Sequence, residues 1–553
     1  MIDGFRLCIK NWPAWERRMR NGFLLFVGLL CAIGVAVGEA PAPADQSCSD
    51  LAKLSVLQTE IVQASVVEAG TLDLHEEKPN PIYKKLPAFC RVQAVAKPSS
   101  DSNIKIEVWL PLAGWNGKFM GQGNGGFAGN ISYAGLAVAV LNGFASGGTD
   151  TGHTGGATDS DWALGHPEKI VDFGNRAVHV MTELSKSVVQ QFYAKPAKPT
   201  YFSSCSDGGR EALMEAERFP EDYDGILAGA PAYNWTNLVS RGALLAQELL
   251  TVPENYIPAS KVPAISQAVL AACHKDEPAA FLADPRTCHF SPDTLLCKGE
   301  DSDACLTAAQ VASVKALYAD SHLKDGSLEY HGFLPGAELG DNGWQGWITG
   351  KERNAGEGSK YSTGFFRNLV YSNPDWDIKN FDLDRDLMAA QEKTAKALDA
   401  VNPDLRPFKA HGGKLILYHG WNDPAISALG TLDYYNNVVS TMGDADTHSF
   451  VRLFMVPGMQ HCGGGPGPAD FGQWGPGIDP VLNNPAHNIT FALEEWVEKG
   501  RAPEQVIARG NTDSTGEGKG EIFAQPICAY PKAAKYKGSG GRKDAANYVC
   551  AAQ

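Results

Sequence analysis

Tyr201-Phe202-Ser203-Ser204-Cys205-Ser206-Asp207-Gly208-Gly209 is the stretch that decides the fold. A short apolar run predicts a strand, the hydroxyl of Ser206 sits at the apex of a turn, and two glycines lead into a helix predicted from Glu211 to Phe219. This is the outline of a nucleophile elbow, usually written Gly-x-Ser-x-Gly because small residues on either side let strand and helix pack closely around a strained serine. Gly208 fills the later small position and Ser204 replaces the earlier glycine. A single Ser-x-Gly is more often a plain turn, so the rest of the chain has to decide.

Downstream, two more strand-to-turn junctions carry chemistry. Lys414 to Gly420, with the apolar run Leu415 to Tyr418 at its centre, reads as a parallel-type strand, and it leads into Trp421-Asn422-Asp423-Pro424. A helix is predicted from Leu429 to Val439. The next strand, Val451 to Val456, enters Pro457-Gly458-Met459-Gln460-His461-Cys462-Gly463. Ser206, Asp423 and His461 then each follow a predicted strand, in the serine, acid, histidine order of an α/β-hydrolase fold. Chemically, a serine hydroxyl needs a base, His461, and the imidazole needs an orienting anion, Asp423. Taken singly, Asp423 before a proline also reads as a turn cap and His461 as a loop histidine.

Upstream, Phe119 to Gly129 holds five glycines in eleven residues, which lets backbone N–H groups face a cavity. No Gly-Lys-Ser/Thr ending follows, which sets a phosphate loop aside. An oxyanion hole would take one N–H from Asp207 and one from Gly126 or Gly125; a plain glycine turn is the other reading. Ile104 to Leu110 alternates as a strand with one buried face, Ala137 to Ala145 reads as a buried strand, and Val171 to Phe192 as a helix carrying His179 as a packed or surface residue.

The 553 residues are 44% hydrophobic and 20% charged, a composition of folded domains, and exceed one simple core. Residues 1–38 read as a signal peptide: Arg17, Arg18 and Arg20 precede an apolar run from Phe23 to Val37. The chain carries a net charge of −15, and loss of that basic segment makes the remainder more acidic. Such a surface repels nucleic acid and anionic membranes, so the expected partner is a small molecule, with no nucleic acid, no membrane after cleavage and no oligomeric state implied. The expected location is secreted or periplasmic.

Residues 39–235 and 410–553 then form the two parts of an α/β-hydrolase core, and 236–409 a large inserted lid domain, where strand-helix alternation gives way to helices such as Val262 to Cys273 and Ala308 to Leu317. Trp344, Trp347, Phe365 and Phe366 are its candidate pocket or core aromatics. Ile426, three residues after Asp423, is a candidate for the pocket wall.

Beyond residue 38 ten cysteines remain, an even number that fits disulfides in an exported chain but leaves many pairings open. No pair has CxxC spacing, so zinc or redox chemistry is not expected. One pairing follows from the proposed chemistry: Cys205 precedes the serine and Cys462 follows the histidine, so if Ser206 and His461 touch, a bridge between their neighbours is geometrically reasonable.

The combination Cys205-Ser206-Asp207-Gly208-Gly209-Arg210, Phe219-Pro220-Glu221-Asp222-Tyr223-Asp224-Gly225, His419-Gly420-Trp421-Asn422-Asp423-Pro424 and Met459-Gln460-His461-Cys462-Gly463 resembles the tannase and feruloyl esterase family, which also includes mono(hydroxyethyl) terephthalate hydrolase. The resemblance spans nearly the whole chain after residue 38. It implies a Ser206, Asp423, His461 triad, hydrolysis of esters of aromatic, phenolic acids, and disulfides Cys205–Cys462, Cys48–Cys90, Cys273–Cys288, Cys297–Cys305 and Cys528–Cys550. Two departures stand out. Ser204 takes a family glycine's place, and a family calcium loop after the cysteine matching Cys273 carries His274, Glu277 and Phe281 where aspartates are usual. Asp276, Glu277 and Asp284 are the calcium candidates left; no cofactor is required by the triad chemistry. Two rival readings use the same scaffold: a non-catalytic ligand-binding protein, and an acyltransferase or peptidase on the same triad.

Overall fold

Nine strands form one sheet in the order β1-β2-β3-β5-β4-β6-β7-β8-β9. They are β1 Thr59–Val67, β2 Phe89–Ala96, β3 Ile104–Pro111, β4 Phe119–Gln122, β5 Ala145–Thr149, β6 Thr200–Cys205, β7 Gly225–Gly229, β8 Lys414–Gly420 and β9 Val451–Val456. The computed structural model describes residues 44–273, 281–340, 342–475, 482–511 and 521–552; the expected signal peptide lies outside them. Strands β1, β2 and β3 and the β3–β5 pair are antiparallel, whereas β5, β4, β6, β7, β8 and β9 are parallel to their neighbours.

The parallel strands are buried on both faces, as is usual where helices cover a parallel sheet: all of β7 is buried, and only Lys414 of β8 reaches solvent in part. Helices cover the sheet. The helix Asp207–Arg218 packs beside β6 and β7, and Ile489–Lys499 against β7 and β8.

Two local expectations are corrected. Ala137–Ala145 is not a strand: Tyr133–Leu141 is a helix and the sheet resumes only at Ala145. A short run of small and aliphatic residues fits a buried helix as well as a strand, and Asn142-Gly143, with Gly143 at φ 80°, supplies the helix stop. In β3 the face expected to be open is buried too beyond Lys105, which alone stays exposed. Glu107 is 1% exposed there, because Arg91 Nε and Trp109 Nε1 donate to its carboxylate at 2.8 and 2.7 Å, which satisfies the charge away from water. His179 stacks on Phe219 at 3.9 Å and bonds Asp222 through Nδ1 at 2.6 Å.

Between β7 and β8 the chain leaves the sheet and builds helices including Trp235–Leu250, Val262–Cys273, Ala308–Tyr318 and Glu357–Gly364. Leu249, Ile265, Leu306, Val314 and Trp344 share a separate apolar core there. Among the described residues five disulfides are present: Cys48–Cys90, Cys205–Cys462, Cys273–Cys288, Cys297–Cys305 and Cys528–Cys550. Among the described residues no helix is long and apolar enough to cross a membrane.

Candidate active site

The C-terminal ends of β6, β8 and β9 each release a loop at one edge of the parallel sheet, the edge where open α/β sheets place their sites. Ser206 follows β6 directly and holds φ 69°, ψ −123°, a backbone region disfavoured for side chains other than glycine and found where a site over-determines it. Here the restraints are hydrogen bonds. Ser206 N–H donates to Gly229 O at 3.0 Å, and Ser206 O accepts from Ala232 N–H at 3.1 Å. The need for glycine at 208 is steric. A Cβ there would lie 1.9 Å from Ser204 Oγ and 2.6 Å from Asn124 O. The serine at 204 therefore fits only because its neighbour across the turn has no side chain.

Ser206 Oγ lies 2.9 Å from His461 Nε2, and His461 Nδ1 lies 2.8 Å from Asp423 Oδ2. Asp423 is 2% exposed. Its Oδ1 accepts the N–H groups of Ala425 and Ile426 at 2.8 and 2.9 Å, so one oxygen caps the turn while the other meets the imidazole. Burial pushes the Asp423 carboxyl up, but the charges and hydrogen bonds of His461 and His419 outweigh it and hold the group far below the usual carboxylate range. An ionised Asp423 can only accept. His461 must then carry its proton on Nδ1, leaving Nε2 to take the serine proton.

His419, to which the sequence motif assigns no role, is fully buried beside Asp423. Its Nε2 lies 3.1 Å from Asp423 Oδ2 and 3.2 Å from Ile426 O, and its Nδ1 is 2.7 Å from Thr431 Oγ1. It braces the carboxylate through the same oxygen that meets His461.

Ser206, Asp207, Gly126, Trp347, Ile426 and His461 border one cleft. Of the two glycines named for an oxyanion contact, Gly126 borders this cleft and Gly125 does not. A Cβ on Gly126, which holds φ 61°, would lie 2.5 Å from Ala157 O and 2.5 Å from Tyr361 Oη. The loop is tied to the elbow helix: Asn124 N–H donates to Glu211 Oε2 at 2.8 Å, and Gly208 N–H to Asn124 O at 3.1 Å. Burial, with the charge of Asp207 adding to it, pushes the Glu211 carboxyl up to about 8. The buried Asp207 side chain pairs with Arg210 Nε at 2.7 Å.

Trp347 meets the His461 ring edge-on at 4.7 Å, and its Nε1 donates to Asn342 Oδ1 at 2.8 Å. Asn342 Nδ2 in turn donates to His461 O at 2.6 Å. The other three aromatics named from the sequence, Trp344, Phe365 and Phe366, are fully buried in apolar cores.

Of the calcium candidates, Asp276 and Glu277 lie outside the described residues. Asp284 spends its carboxylate on Arg286, whose Nε and Nη2 approach at 2.9 and 2.6 Å. Phe281 packs against Phe523 at 6.0 Å. These two positions offer an arginine-paired carboxylate and a phenyl ring, neither a hard oxygen open to a cation.

Fold and site together define an α/β-hydrolase-type protein. Residues 90–551 match the family model described as tannase and feruloyl esterase, and the chain belongs to that family. It is 38% identical over 558 residues to an uncharacterized esterase of Xanthomonas campestris, covering 96% of this chain and 95% of that one. It is 34% identical to a probable feruloyl esterase B of Aspergillus clavatus, covering 84% and 86%. The crystal structure of feruloyl esterase B from Aspergillus oryzae superposes with a TM-score of 0.82 at 31% identity, over 92% of this chain and 100% of that one. The protein is a carboxylic ester hydrolase.

Proposed function

We propose that this chain is an exported serine esterase that cleaves esters of aromatic acids through an acyl-enzyme. Ser206 attacks the ester carbonyl as His461 takes its proton, and Asp423 holds the imidazole in tautomer and stabilises its cation. The N–H groups of Asp207 and Gly126 receive the oxyanion; one such donor is worth about 3 kcal/mol in comparable sites. His461 then protonates the leaving alcohol, and water repeats the sequence to release the acid. Residues 236–409 serve as the lid that carries the acid-binding surface. The Cys205–Cys462 bridge, with Cα atoms 5.9 Å apart, ties the nucleophile's turn to the base's turn.

The observation that carries this reading is the placement of His461 between Ser206 Oγ at 2.9 Å and Asp423 Oδ2 at 2.8 Å. Five disulfides support the export reading, since such bonds persist in oxidising compartments. Hydrolysis of methyl ferulate by the purified chain tests it. Ser206→Ala should lower kcat by roughly 10⁴-fold or more, and turnover retained in that variant contradicts the proposal.

A further inference from the structure

The cleft that opens at Ser206 has a volume of about 110 Å³, and its lining runs on along one helix away from the nucleophile. Ser206 O bonds Ala232 N–H, so the helix Trp235–Leu250 begins beside the nucleophile. From this helix Trp235, Leu238, Gly242, Leu245 and Leu249 face the cleft at three- and four-residue spacing along one side, with Leu250 at its end and Arg241 beside it. At 1.5 Å per residue that stripe is about 22 Å long, longer than a hydroxycinnamoyl group. Phe333, Ile348 and Tyr361 also border it.

Several polar groups in this wall are spent on the protein's own backbone, while Trp235 Nε1 is buried without a partner. Ser359 Oγ donates to Gly356 O at 2.8 Å and Ser362 Oγ to Gly358 O at 2.9 Å. Arg241 Nη2 donates to the carbonyls of Ala316 and Ala319 at 2.6 and 2.8 Å, leaving its Nε unpartnered. A channel of this kind has little to offer several ring hydroxyls, which would lose their hydrogen bonds to water on entry. Methylenes lose nothing there.

We infer that the site also takes esters carrying a long unbranched alkyl chain on one side of the ester bond, laid along the helix Trp235–Leu250. This rests on the serine-esterase reading above and adds a substrate class to it. The chain could arrive as the acyl group or as the alcohol, and the two sources are separable by experiment.

Two series measured on the full chain decide it: p-nitrophenyl alkanoates from acetate to dodecanoate for the acyl side, and alkyl ferulates from methyl to dodecyl for the alcohol side, all below their micellar concentrations. Burial of one methylene is worth up to about fourfold. In one series kcat/KM should therefore climb at least tenfold from the shortest member, peaking at eight carbons or beyond. Leu245→Trp, which narrows the channel, should cut the dodecyl-to-shortest ratio of that series at least tenfold. The ratio is taken within one variant, and if the variant does not fold the unsubstituted protein's profiles decide alone. Profiles that fall beyond four carbons in both series, or a ratio untouched by Leu245→Trp in folded protein, overturn the inference while leaving the esterase reading intact. Absence of turnover on every ester, acetate and methyl ferulate included, overturns the esterase reading and this inference with it.

Discussion

His419 and His461 meet on a single oxygen: Asp423 Oδ2 lies 3.1 Å from His419 Nε2 and 2.8 Å from His461 Nδ1. With Oδ1 taken by two backbone N–H groups, the buried carboxylate makes four hydrogen bonds, two on each oxygen. Its ionised form is therefore strongly favoured in the folded state, and its pKa is depressed. A depressed carboxylate contributes stability that is present above its unfolded value of about 4 and is lost as pH falls through the folded value. Asp423→Asn should therefore be less stable than the parent chain at pH 7 and pH 5 by a similar margin, and the margin should shrink below pH 4. Urea denaturation at these pH values measures it. The same variant should lose roughly 10⁴-fold in kcat, because an amide cannot hold the imidazole in the required tautomer.

The Cys205–Cys462 bond closes a separation of 257 residues. Chain entropy alone assigns such a crosslink roughly 5 kcal/mol, although strain and residual structure often reduce it. Its position predicts a second effect. Cys205→Ser with Cys462→Ser should lower kcat by about tenfold to a hundredfold with a smaller change in KM, since displacements near 1 Å between reacting groups cost that much. Steady-state kinetics on folded double variant, together with its melting temperature, separates the two effects.

Gly126→Ala tests the oxyanion contact. The added methyl would collide with Ala157 O and Tyr361 Oη at a positive φ, moving the N–H rather than removing it. A kcat loss of about 10²-fold, with KM changed much less, is expected if this donor acts mainly in the transition state.

Glu211 runs the pH argument in the opposite direction. Its folded value of about 8 lies above the ordinary 4.5, so the stabilisation it contributes as a neutral acid is complete below about pH 4.5 and is lost as pH rises toward 8. Glu211→Gln keeps a neutral acceptor for Asn124 N–H without that loss. Relative to the parent chain its stability should rise between pH 5 and pH 8, by up to about 1.4 kcal/mol per pH unit. Denaturation midpoints across that range are the readout.

Much of the candidate site was legible in the sequence because each of its proposed members follows its own strand: the elbow after β6, Asp423 after β8 and His461 after β9 are local signals, and their chain order supplied the rest. Elements held by distant partners were not legible. Glu211 reaches Asn124 across 87 residues, and Asn342 reaches His461 across 119; neither pair has a local pattern. The helix at Tyr133–Leu141 was misread because its residues are nearly all small or aliphatic, a run without helical or strand period. Trp347 could not be told from Trp344 by spacing, yet one faces the imidazole and the other fills a core.

The most direct test is labelling with a fluorophosphonate followed by peptide mass spectrometry. A single adduct on Ser206, formed far more slowly in His461→Ala and absent in Ser206→Ala, is the predicted result. An adduct on another serine, or labelling of Ser206 at an unchanged rate without the His461 imidazole, contradicts the account.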